Sequence, residues 1–203
     1  MSIEDAKRWN NRYENGAYEG RDHPVALLEG SLNQLPRGRA LDLACGAGRN
    51  ALFLARNGFE VDAIDVSDVA LQRAAGYAQA EGLNVNWQQG DLDDLRLPTA
   101  EYQLVVVSRF LDRRLFPSLA NALAPGGYLV YETHLATQRT DVGGPGSNRF
   151  RLQPGELMHL VHTLRILHYH EGLVDDPDGP RMVLAQCIAC KGQPAWDTTE
   201  EIL

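Results

Sequence analysis

The sequence predicts an α/β fold of three layers, with helices covering both faces of a doubly wound sheet. Strand-like and helix-like segments alternate over residues 39–133, which is typical of a mostly parallel sheet. Residues 102–108 are almost wholly apolar and therefore predict a central strand. Two further strand candidates, 163–172 and 181–191, are joined by the turn sequence at 175–180, which is too short for a parallel crossover. We therefore expect the sheet to end in an antiparallel hairpin.

Capping and turn residues mark where the other predicted elements begin and end. Gly58 and Gly82 suit helix C-termini, and Ser67 suits a helix N-cap. The Pro-Gly-Gly sequence at 125–127 predicts a turn into the fifth strand. In chain order the predicted helices cover 3–13, 23–35, 48–57, 68–81 and 115–123, and the predicted strands cover 39–44, 59–64, 84–89, 102–108 and 128–133.

Composition and charge narrow the function classes. The chain has 203 residues and a formal net charge of −8, and a length of this order suits one domain. An acidic surface repels phosphate backbones, and no lysine-rich run offsets it, so a nucleic-acid partner is not expected. No stretch reaches the roughly 18 apolar residues of a membrane span, and residues 1–5 lack a signal-peptide pattern. We expect a cytoplasmic protein without membrane association.

Cysteine and histidine pairs raise the question of a metal. Cys187 and Cys190 lie three positions apart on a predicted strand, so their side chains point to opposite faces and cannot readily chelate one ion. Four histidines lie between positions 159 and 170, the first two on one predicted helix face and the last two on one strand face. No cysteine or carboxylate cluster supports a site there. The sequence therefore predicts no metal.

A glycine turn follows the first strand and begins the next helix. Gly46 and Gly48 lack a Cβ, which lets a ligand approach the backbone, and the free N–H groups of the helix start suit a carboxylate or a phosphate. The pattern at 46–51 also satisfies the relaxed dinucleotide fingerprint G-x-G-x-x-A. A nucleotide-type pocket is predicted, and a nicotinamide-dependent oxidoreductase stays open at this point.

Three carboxylates favour a different ligand. Asp42 lies just before the glycine turn, where a second negative charge would not help a pyrophosphate but would help a cation. Asp65 ends the second strand and is placed to accept from ribose hydroxyls, and Asp91 follows the third strand, placed to accept from an adenine amino group. The terminal hairpin also differs from the nicotinamide fold, which usually continues with a parallel strand. The pattern favours an adenosyl ligand that carries a positive charge.

The sequence resembles the class I S-adenosylmethionine-dependent methyltransferases over roughly residues 36–191. The resemblance rests on DLACGAG at 42–48, DVS at 65–67, GDL at 90–92 and PGG at 125–127. Within that superfamily, GAGRN at 46–50 and the leading W-x-x-R-Y at 9–13 look like the tellurite-resistance type methyltransferases of small molecules. It implies a Rossmann-like, seven-stranded sheet, mostly parallel with a C-terminal antiparallel hairpin.

The resemblance also implies a domain division, a cofactor and a set of contacts. It divides the chain into a helical cap (1–35), the methyltransferase domain (36–192) and a tail (193–203). It implies S-adenosylmethionine as cofactor and S-adenosylhomocysteine as product. One departure is Ala44, which stands where the family usually has a glycine. The implied cofactor-binding residues are Arg12, Asp42, Ala44, Gly46, Gly48, Asn50, Asp65, Val66, Asp91, Leu92 and Ser108.

The acceptor is expected beyond the carboxyl ends of the fourth and fifth strands, where ligands of such sheets bind. His134 is the candidate general base, Arg109 a candidate for contact with the acceptor, and Tyr13 a candidate cap of the pocket. The glycine-rich segment 141–148 is a candidate lid, which would bring Phe150 over the acceptor.

Arginines near that edge predict an anion-binding site, although surface pairing with Asp and Glu is the ordinary alternative. The function predicted is methyl transfer to a small acceptor, either an anion or a thiol or chalcogen nucleophile. The two alternatives to this function are an NAD(P)-dependent oxidoreductase and a non-catalytic adenosyl-cofactor-binding protein. The arginines concerned are Arg109, Arg113, Arg139, Arg149 and Arg151.

Overall fold

A computed structural model describes residues 3–194 and confirms the predicted α/β class. The sheet has seven strands in the order β3-β2-β1-β4-β5-β7-β6. The strands are β1 (Arg39–Leu43), β2 (Glu60–Asp65), β3 (Val85–Gln89), β4 (Tyr102–Ser108), β5 (Leu123–His134), β6 (Arg165–Val174) and β7 (Met182–Cys190). The helices are α1 (Ile3–Glu14), α2 (Ala26–Ser31), α3 (Arg49–Arg56), α4 (Asp68–Glu81), α5 (Phe116–Ala122) and α6 (Glu156–Leu160).

Strands β1 to β5 are parallel, and β7 pairs antiparallel with both β5 and β6. The predicted terminal hairpin is thus confirmed, because residues 175–181 give the chain no room for a crossover. The parallel register places the carboxyl ends of β1, β2, β4 and β5 at one edge of the sheet. That edge carries the candidate site.

Two apolar clusters cover the two faces of the sheet. Alternate residues of one strand enter different clusters, as the two-residue repeat of a strand requires. Cys187 packs in the cluster with Leu129 and Tyr131, whereas Cys190 packs in the other with Tyr128 and Val130. The prediction that these two cysteines point to opposite faces is confirmed.

Local capping signals were interpreted correctly. The Ser67 hydroxyl accepts the Ala70 N–H at 3.1 Å and caps α4 at its N-terminus, and Gly82 closes the same helix with φ +67°. The predicted helix 23–35 is shorter in the structure: α2 covers Ala26–Ser31 and a 3₁₀ turn follows at Leu32–Gln34.

The Pro-Gly-Gly sequence at 125–127 forms an irregular stretch within β5 rather than a turn before it. Leu123 pairs with Tyr102, and the register then shifts before Leu104 pairs with Tyr128. A Cβ on Gly127 would lie 2.7 Å from the Tyr102 carbonyl oxygen. The glycine is therefore needed for close approach of two strands, a use that the sequence pattern does not distinguish from a turn.

The N-terminal segment is fastened to the domain by polar contacts. The Asn10 amide donates to Asp68 Oδ1 at 2.6 Å and accepts the Ser67 hydroxyl at 2.7 Å, so α1 lies against the start of α4. Arg73 donates to the carbonyl oxygens of Tyr13 and Ala17. The division at residues 35 and 192 stays a prediction, and most of the predicted tail lies outside the described residues. No helix within residues 3–194 has the length and apolar character needed to span a membrane.

Candidate cofactor and acceptor site

The glycine turn is held by carboxylates from two strands. Asp42, on β1, accepts the Ala51 N–H at 3.0 Å and so binds the first turn of α3. Asp65, at the end of β2, accepts the Gly46 N–H at 2.8 Å through Oδ2 and the Ser67 N–H at 2.9 Å through Oδ1. These bonds fix the turn against the adjacent loop.

Ala44 adopts a left-handed backbone, with φ +56°. An L residue pays roughly 1–2 kcal/mol for this conformation, whereas glycine adopts it freely. Glycine is therefore the favoured residue at this position, and the alanine here stores backbone strain in the turn.

The two turn glycines serve different purposes. A Cβ on Gly46 would lie 2.4 Å from the Tyr13 hydroxyl, on the side that α1 covers. A Cβ on Gly48 would lie 2.6 Å from the Trp87 ring and 2.9 Å from the Ala74 side chain. The missing Cβ of Gly48 thus makes room for packing against α4 and β3, and its contact with a cofactor stays a prediction.

Two buried carboxylates beside the turn have raised pKa values. Burial raises the pKa of Asp42 to about 7, although the Ala51 N–H opposes the shift. Its Oδ1 is buried without a hydrogen-bond partner. Burial also raises the pKa of Asp65, against the hydrogen bonds that it accepts from Ser67 and Gly46. An unpartnered buried carboxylate oxygen next to the glycine turn fits a ligand that brings a hydrogen-bond donor or a positive charge.

Tyr13 lies over the turn. Its side chain is 7% exposed, and burial, followed by the charge of Asp65, raises the pKa of its hydroxyl. The placement agrees with a cap on the pocket. Arg12 is exposed, with its guanidinium 4.8 Å from the Trp9 ring centroid and donating to the Tyr18 hydroxyl at 3.0 Å. The side chain of Arg12 is thus directed to its aromatic neighbours rather than to the glycine turn.

Asn50 is a structural link in this conformation. Its amide oxygen accepts the Val25 N–H at 3.0 Å and its amide nitrogen donates to the Ser108 hydroxyl at 2.9 Å. The side chain is 2% exposed. It therefore ties the N-terminal segment and the end of β4 to α3.

The loops after β2 and β3 complete the edge. The Gly90 N–H donates to the Asp65 carbonyl at 3.0 Å, which brings the end of β3 beside the end of β2. Asp91 Oδ1 accepts the Asp93 N–H at 2.9 Å. The Val66 carbonyl accepts the Gln89 amide at 3.1 Å. Leu92 is 2% exposed and packs in the core, so its side chain does not lie over a ligand in this conformation.

Arg109 follows β4 and lies partly buried, with its side chain 16% exposed, among carboxylates. Its Nη2 lies 3.2 Å from Asp176 Oδ2, and its Nε lies 3.0 Å from Glu132 Oε1 without hydrogen-bond alignment. Its Nη1 is directed at the Met182 sulfur. Burial lowers the pKa of the guanidinium, although both carboxylates oppose that shift. The backbone is left-handed, with φ +58°.

His134 ends β5 beneath the glycine-rich segment. Burial, with the charges of Arg109 and Arg151, lowers its pKa to about 4, so the ring is neutral near pH 7. Its Nδ1 is buried without a partner, and a Cβ on Gly144 would lie 2.9 Å from that atom. The Gly143 N–H donates to the Arg181 carbonyl at 2.9 Å, so the segment over His134 is fastened to the terminal hairpin.

The predicted arginine site is largely wrong. Arg113 pairs with Glu156 and Arg139 pairs with Asp141, both near the surface. Arg151 donates to the carbonyl oxygens of Leu135 and Pro145, and Arg149 lies over the Phe150 ring at 4.5 Å. Ordinary pairing therefore accounts for most of these side chains, as the alternative interpretation expected.

The histidine cluster does not converge. His159 and His162 contact the carbonyl oxygens of Gly155 and His159 through Nδ1. His168 and His170 share the exposed face of β6. Within the described part of the chain, no group of three or more His, Cys, Asp or Glu side chains could hold a metal ion.

Sequence reasoning missed Glu132 and Asp176. Both are nearly inaccessible, at 1% and 6% exposure. Glu132 could have been found as a lone charge in an apolar strand, since a buried charge requires a partner. Asp176 gave no signal, because its sequence context predicts only a turn.

The unpartnered polar atoms gather at one edge of the sheet. Among the described residues, the buried side-chain nitrogen and oxygen atoms without a hydrogen-bond partner belong to strand β1, strand β5 and the residue after β4. Such atoms cost roughly 1–3 kcal/mol each when nothing satisfies them. The edge is therefore suited to a polar ligand. The atoms are Asp42 Oδ1, Arg109 Nε, Glu132 Oε1, Thr133 Oγ1 and His134 Nδ1.

Comparison with known proteins agrees with this geometry. A family described as a methyltransferase domain matches residues 40–127. The ubiquinone biosynthesis O-methyltransferase of Coxiella burnetii is 28% identical over 176 residues, covering 74% of this chain and 75% of that protein. The enzyme of the same name from Rickettsia prowazekii is 25% identical, covering 67% of this chain and 58% of that protein.

Solved structures share the fold. TehB from Haemophilus influenzae has a TM-score of 0.69 at 22% identity, covering 92% of this chain and 66% of that one. A protein described as converting a disulfide bond into a thioacetal group during echinomycin biosynthesis has a TM-score of 0.71 at 18% identity, with 95% and 94% covered. The matched methyltransferase domain, the related sequences and the shared fold support the class I S-adenosylmethionine-dependent methyltransferase that the sequence predicts.

Proposed function

We propose that this methyltransferase methylates a hydroxyl oxygen of a small molecule bound between the ends of β4 and β5. The observation that carries the proposal is the group of unpartnered polar atoms on Arg109, Glu132, Thr133 and His134, beside the glycine turn. The curated relatives are named as O-methyltransferases, which supports oxygen as the nucleophile. An anionic, thiol or chalcogen acceptor is the competing possibility.

The cofactor half would be formed by the ends of β1, β2 and β3. Asp65 would accept from the ribose hydroxyls while its present bonds to Gly46 and Ser67 hold the carboxylate in place. Asp91 would accept from the adenine amino group, and Asp42 Oδ1 would face the positive end of the ligand. Tyr13 would close the pocket over Gly46, as its position 2.4 Å from an added Cβ suggests.

The other residues proposed for the cofactor act through position or backbone. Ala44, Gly48 and Val66 would shape the loops, and Asn50 would hold Ser108 next to the methionine part through their 2.9 Å hydrogen bond. Leu92 would contribute backbone rather than side chain, because it is 2% exposed. Arg12 would reach a cofactor carboxylate only by leaving Trp9 and Tyr18.

His134 would remove the acceptor proton. The cofactor supplies a methyl group already activated on a sulfonium, so the protein needs to orient the nucleophile and exclude water. A neutral imidazole can accept a proton, and His134 is neutral at pH 7, although its lowered pKa makes it a weaker base than an exposed histidine. The segment containing Gly143 and Gly144 shields that ring from solvent.

The test is cofactor binding followed by methyl transfer. We expect S-adenosylhomocysteine to raise the melting temperature and NAD to leave it unchanged. Labelled methyl transfer from S-adenosylmethionine is then measured with phenol, catechol, 3,4-dihydroxybenzoate and thiophenol. Transfer to a hydroxylated compound supports the proposal. Transfer to thiophenol alone would overturn oxygen as the nucleophile, and cofactor binding without transfer to any acceptor class would favour the non-catalytic alternative.

A further inference from the structure

A carboxylate of the chain itself lies between two arginines at the acceptor edge. Asp176, in the loop between β6 and β7, lies 3.5 Å from Arg49 Nη1 and 3.2 Å from Arg109 Nη2. Arg49 is the first residue of α3, directly after the glycine turn, and Arg109 follows β4. The Asp176 side chain is 1% exposed. The two-arginine cleft thus adjoins both the cofactor turn and the proposed acceptor position.

Asp176 satisfies the hydrogen-bond donors of the two arginines poorly. Charge-assisted bonds between guanidinium and carboxylate are typically about 2.7–2.9 Å long, and the exposed Arg56–Glu81 pair reaches 2.6 Å twice. Both contacts of Asp176 are longer. Arg109 has in addition a thioether as the neighbour of Nη1 and a misaligned Glu132 oxygen near Nε. A partly buried guanidinium with such partners retains donors for a planar anion.

Charge balance limits how a ligand anion could enter. Arg49 and Arg109 are paired directly with Glu132 and Asp176, and the charge of Arg21 also acts on Arg109. A further anion would add a negative charge next to two buried carboxylates, which is costly at low dielectric. Exchange of one carboxylate for another keeps the charge constant. Asp176 is the exchangeable partner, because it belongs to a loop, whereas Glu132 belongs to β5 and accepts the Gln186 amide at 2.8 Å.

We propose that Arg49 and Arg109 form a carboxylate subsite for the acceptor and that Asp176 fills it when the acceptor is absent. The proposal rests on the proposed function and specifies its substrate class: a small hydroxylated compound that also carries a carboxylate. Binding of that carboxylate displaces Asp176 and releases the loop at 175–180. No bond is made or broken in the exchange.

Benzoate and its neutral analogue benzamide test the subsite, with the protein saturated with S-adenosylhomocysteine. In Asp176→Asn the side chain that fills the subsite loses its charge. We therefore expect benzoate to bind at least about 10-fold more tightly than to the wild type, the gain that one recovered charged hydrogen bond would give. Benzamide affinity should not change. Asp175→Asn is the matched control, because Asp175 lies in the same loop and pairs with Arg181 at the surface. It should bind benzoate like the wild type.

Unchanged benzoate affinity in Asp176→Asn, or an equal gain for benzamide, would overturn the proposal. A gain for S-adenosylhomocysteine instead of benzoate would assign the cleft to the cofactor's own carboxylate and would also overturn it. These measurements do not depend on methyl transfer, so S-adenosylhomocysteine binding without benzoate binding would refute the subsite alone.

Hydrogen–deuterium exchange on the wild type serves if Asp176→Asn does not fold. The Asp178 N–H donates to Asp176 Oδ1 at 3.1 Å, so displacement of Asp176 should free this amide. We expect faster exchange in a peptide covering 175–180 with benzoate and not with benzamide. Exchange that stays unchanged up to the solubility limit of benzoate would contradict the displacement.

Discussion

The edge formed by the carboxyl ends of the strands has a proposed cofactor half and a proposed acceptor half. The two halves differ in how many of their polar groups have hydrogen-bond partners. In the cofactor half, at the ends of β1 to β3, both oxygens of Asp65 accept backbone N–H groups and Asp42 leaves one oxygen unpartnered. In the acceptor half, at the ends of β4 and β5, Arg109, Glu132, Thr133 and His134 each have a buried unpartnered atom. The first half is held together by the chain itself, and the second depends on a ligand or on a loop carboxylate.

The proposed function accounts for this difference. A cofactor of fixed structure can be met by backbone geometry that short local motifs encode. An acceptor must be oriented and deprotonated in a site that excludes water. This requires polar groups that have no hydrogen-bond partner within the chain. We therefore expect substitutions in the cofactor half to alter affinity and folding, and those in the acceptor half to alter rate.

Asp65→Ala should have the largest effect on cofactor affinity. It removes the acceptor of two buried N–H groups as well as the proposed ribose contact, so S-adenosylhomocysteine affinity should fall about 100-fold or more. Calorimetric titration measures the change. Asp94→Ala is the control, because Asp94 is an exposed carboxylate in the segment after β3. Equal affinities for the two variants would remove Asp65 from the cofactor site.

Gly48→Ala and Gly58→Ala separate packing from backbone strain. Both glycines have left-handed φ, at +83° and +80°, but an added Cβ meets Trp87 and Ala74 only at position 48. Gly58→Ala should lower the free energy of unfolding by about 1 kcal/mol, from strain alone. Gly48→Ala should lower it by about 1–3 kcal/mol more, from overpacking. Chemical denaturation measures both, and equal losses would contradict a packing role for Gly48.

The pH dependence of stability should have opposite signs in the two halves. The pKa of His134 falls from 6.5 to about 4 in the folded chain, so its contribution to stability is complete above pH 6.5 and is lost as the pH falls toward 4. The pKa of Asp42 rises from 3.8 to about 7, so its contribution is complete below pH 3.8 and is lost as the pH rises toward 7.

Variants isolate the two contributions. The unfolding free energy of the wild type minus that of His134→Gln should increase with pH between about 4 and 6.5, by at most roughly 1.4 kcal/mol per pH unit. The same difference taken with Asp42→Asn should decrease with pH between about 4 and 7. Denaturant titrations across this range supply the values. Parallel slopes for the two variants would contradict the assignment of opposite shifts.

Ala44→Gly should have the smallest effect. Glycine relieves about 1–2 kcal/mol of left-handed strain at φ +56°, but it also adds about 0.4–1 kcal/mol of unfolded-chain entropy. We expect a net gain in stability of about 1 kcal/mol or less, measured by denaturation. A loss of stability would show that the Ala44 methyl group contributes packing that outweighs the strain.

Local rules predicted most of the fold, whereas the cofactor contacts assigned to the ends of β1 to β3 stay predictions. The Ser67 cap, the Gly82 helix end and the terminal hairpin each depend on residues close in sequence, and each is confirmed. The prediction of a turn at the Pro-Gly-Gly sequence was wrong, because the same residues can form a turn or allow two strands to approach closely. The acceptor half was predicted only in part, since His134 was located but its burial and its covering segment depend on contacts with distant residues.

Long-range partners explain the remaining errors. Arg109 meets Asp176 across 67 positions of sequence, and no local pattern relates a turn aspartate to a strand-end arginine. Sequence reasoning therefore recognised arginines near the edge without knowing which of them carboxylates of the chain already occupy. The packing role of Gly48 escaped sequence analysis for the same reason, because Trp87 and Ala74 come from other elements.

The most direct test that the edge has separate cofactor and acceptor halves compares cofactor affinity and methyl-transfer rate in one variant. In His134→Gln, S-adenosylhomocysteine affinity should stay within about twofold of the wild type, while methyl transfer to the best hydroxylated acceptor should fall about 100-fold or more, the usual contribution of a general base. His168→Gln, on the exposed face of β6, should change neither. An unchanged rate in His134→Gln, or a loss of S-adenosylhomocysteine affinity equal to the loss of rate, would contradict the account.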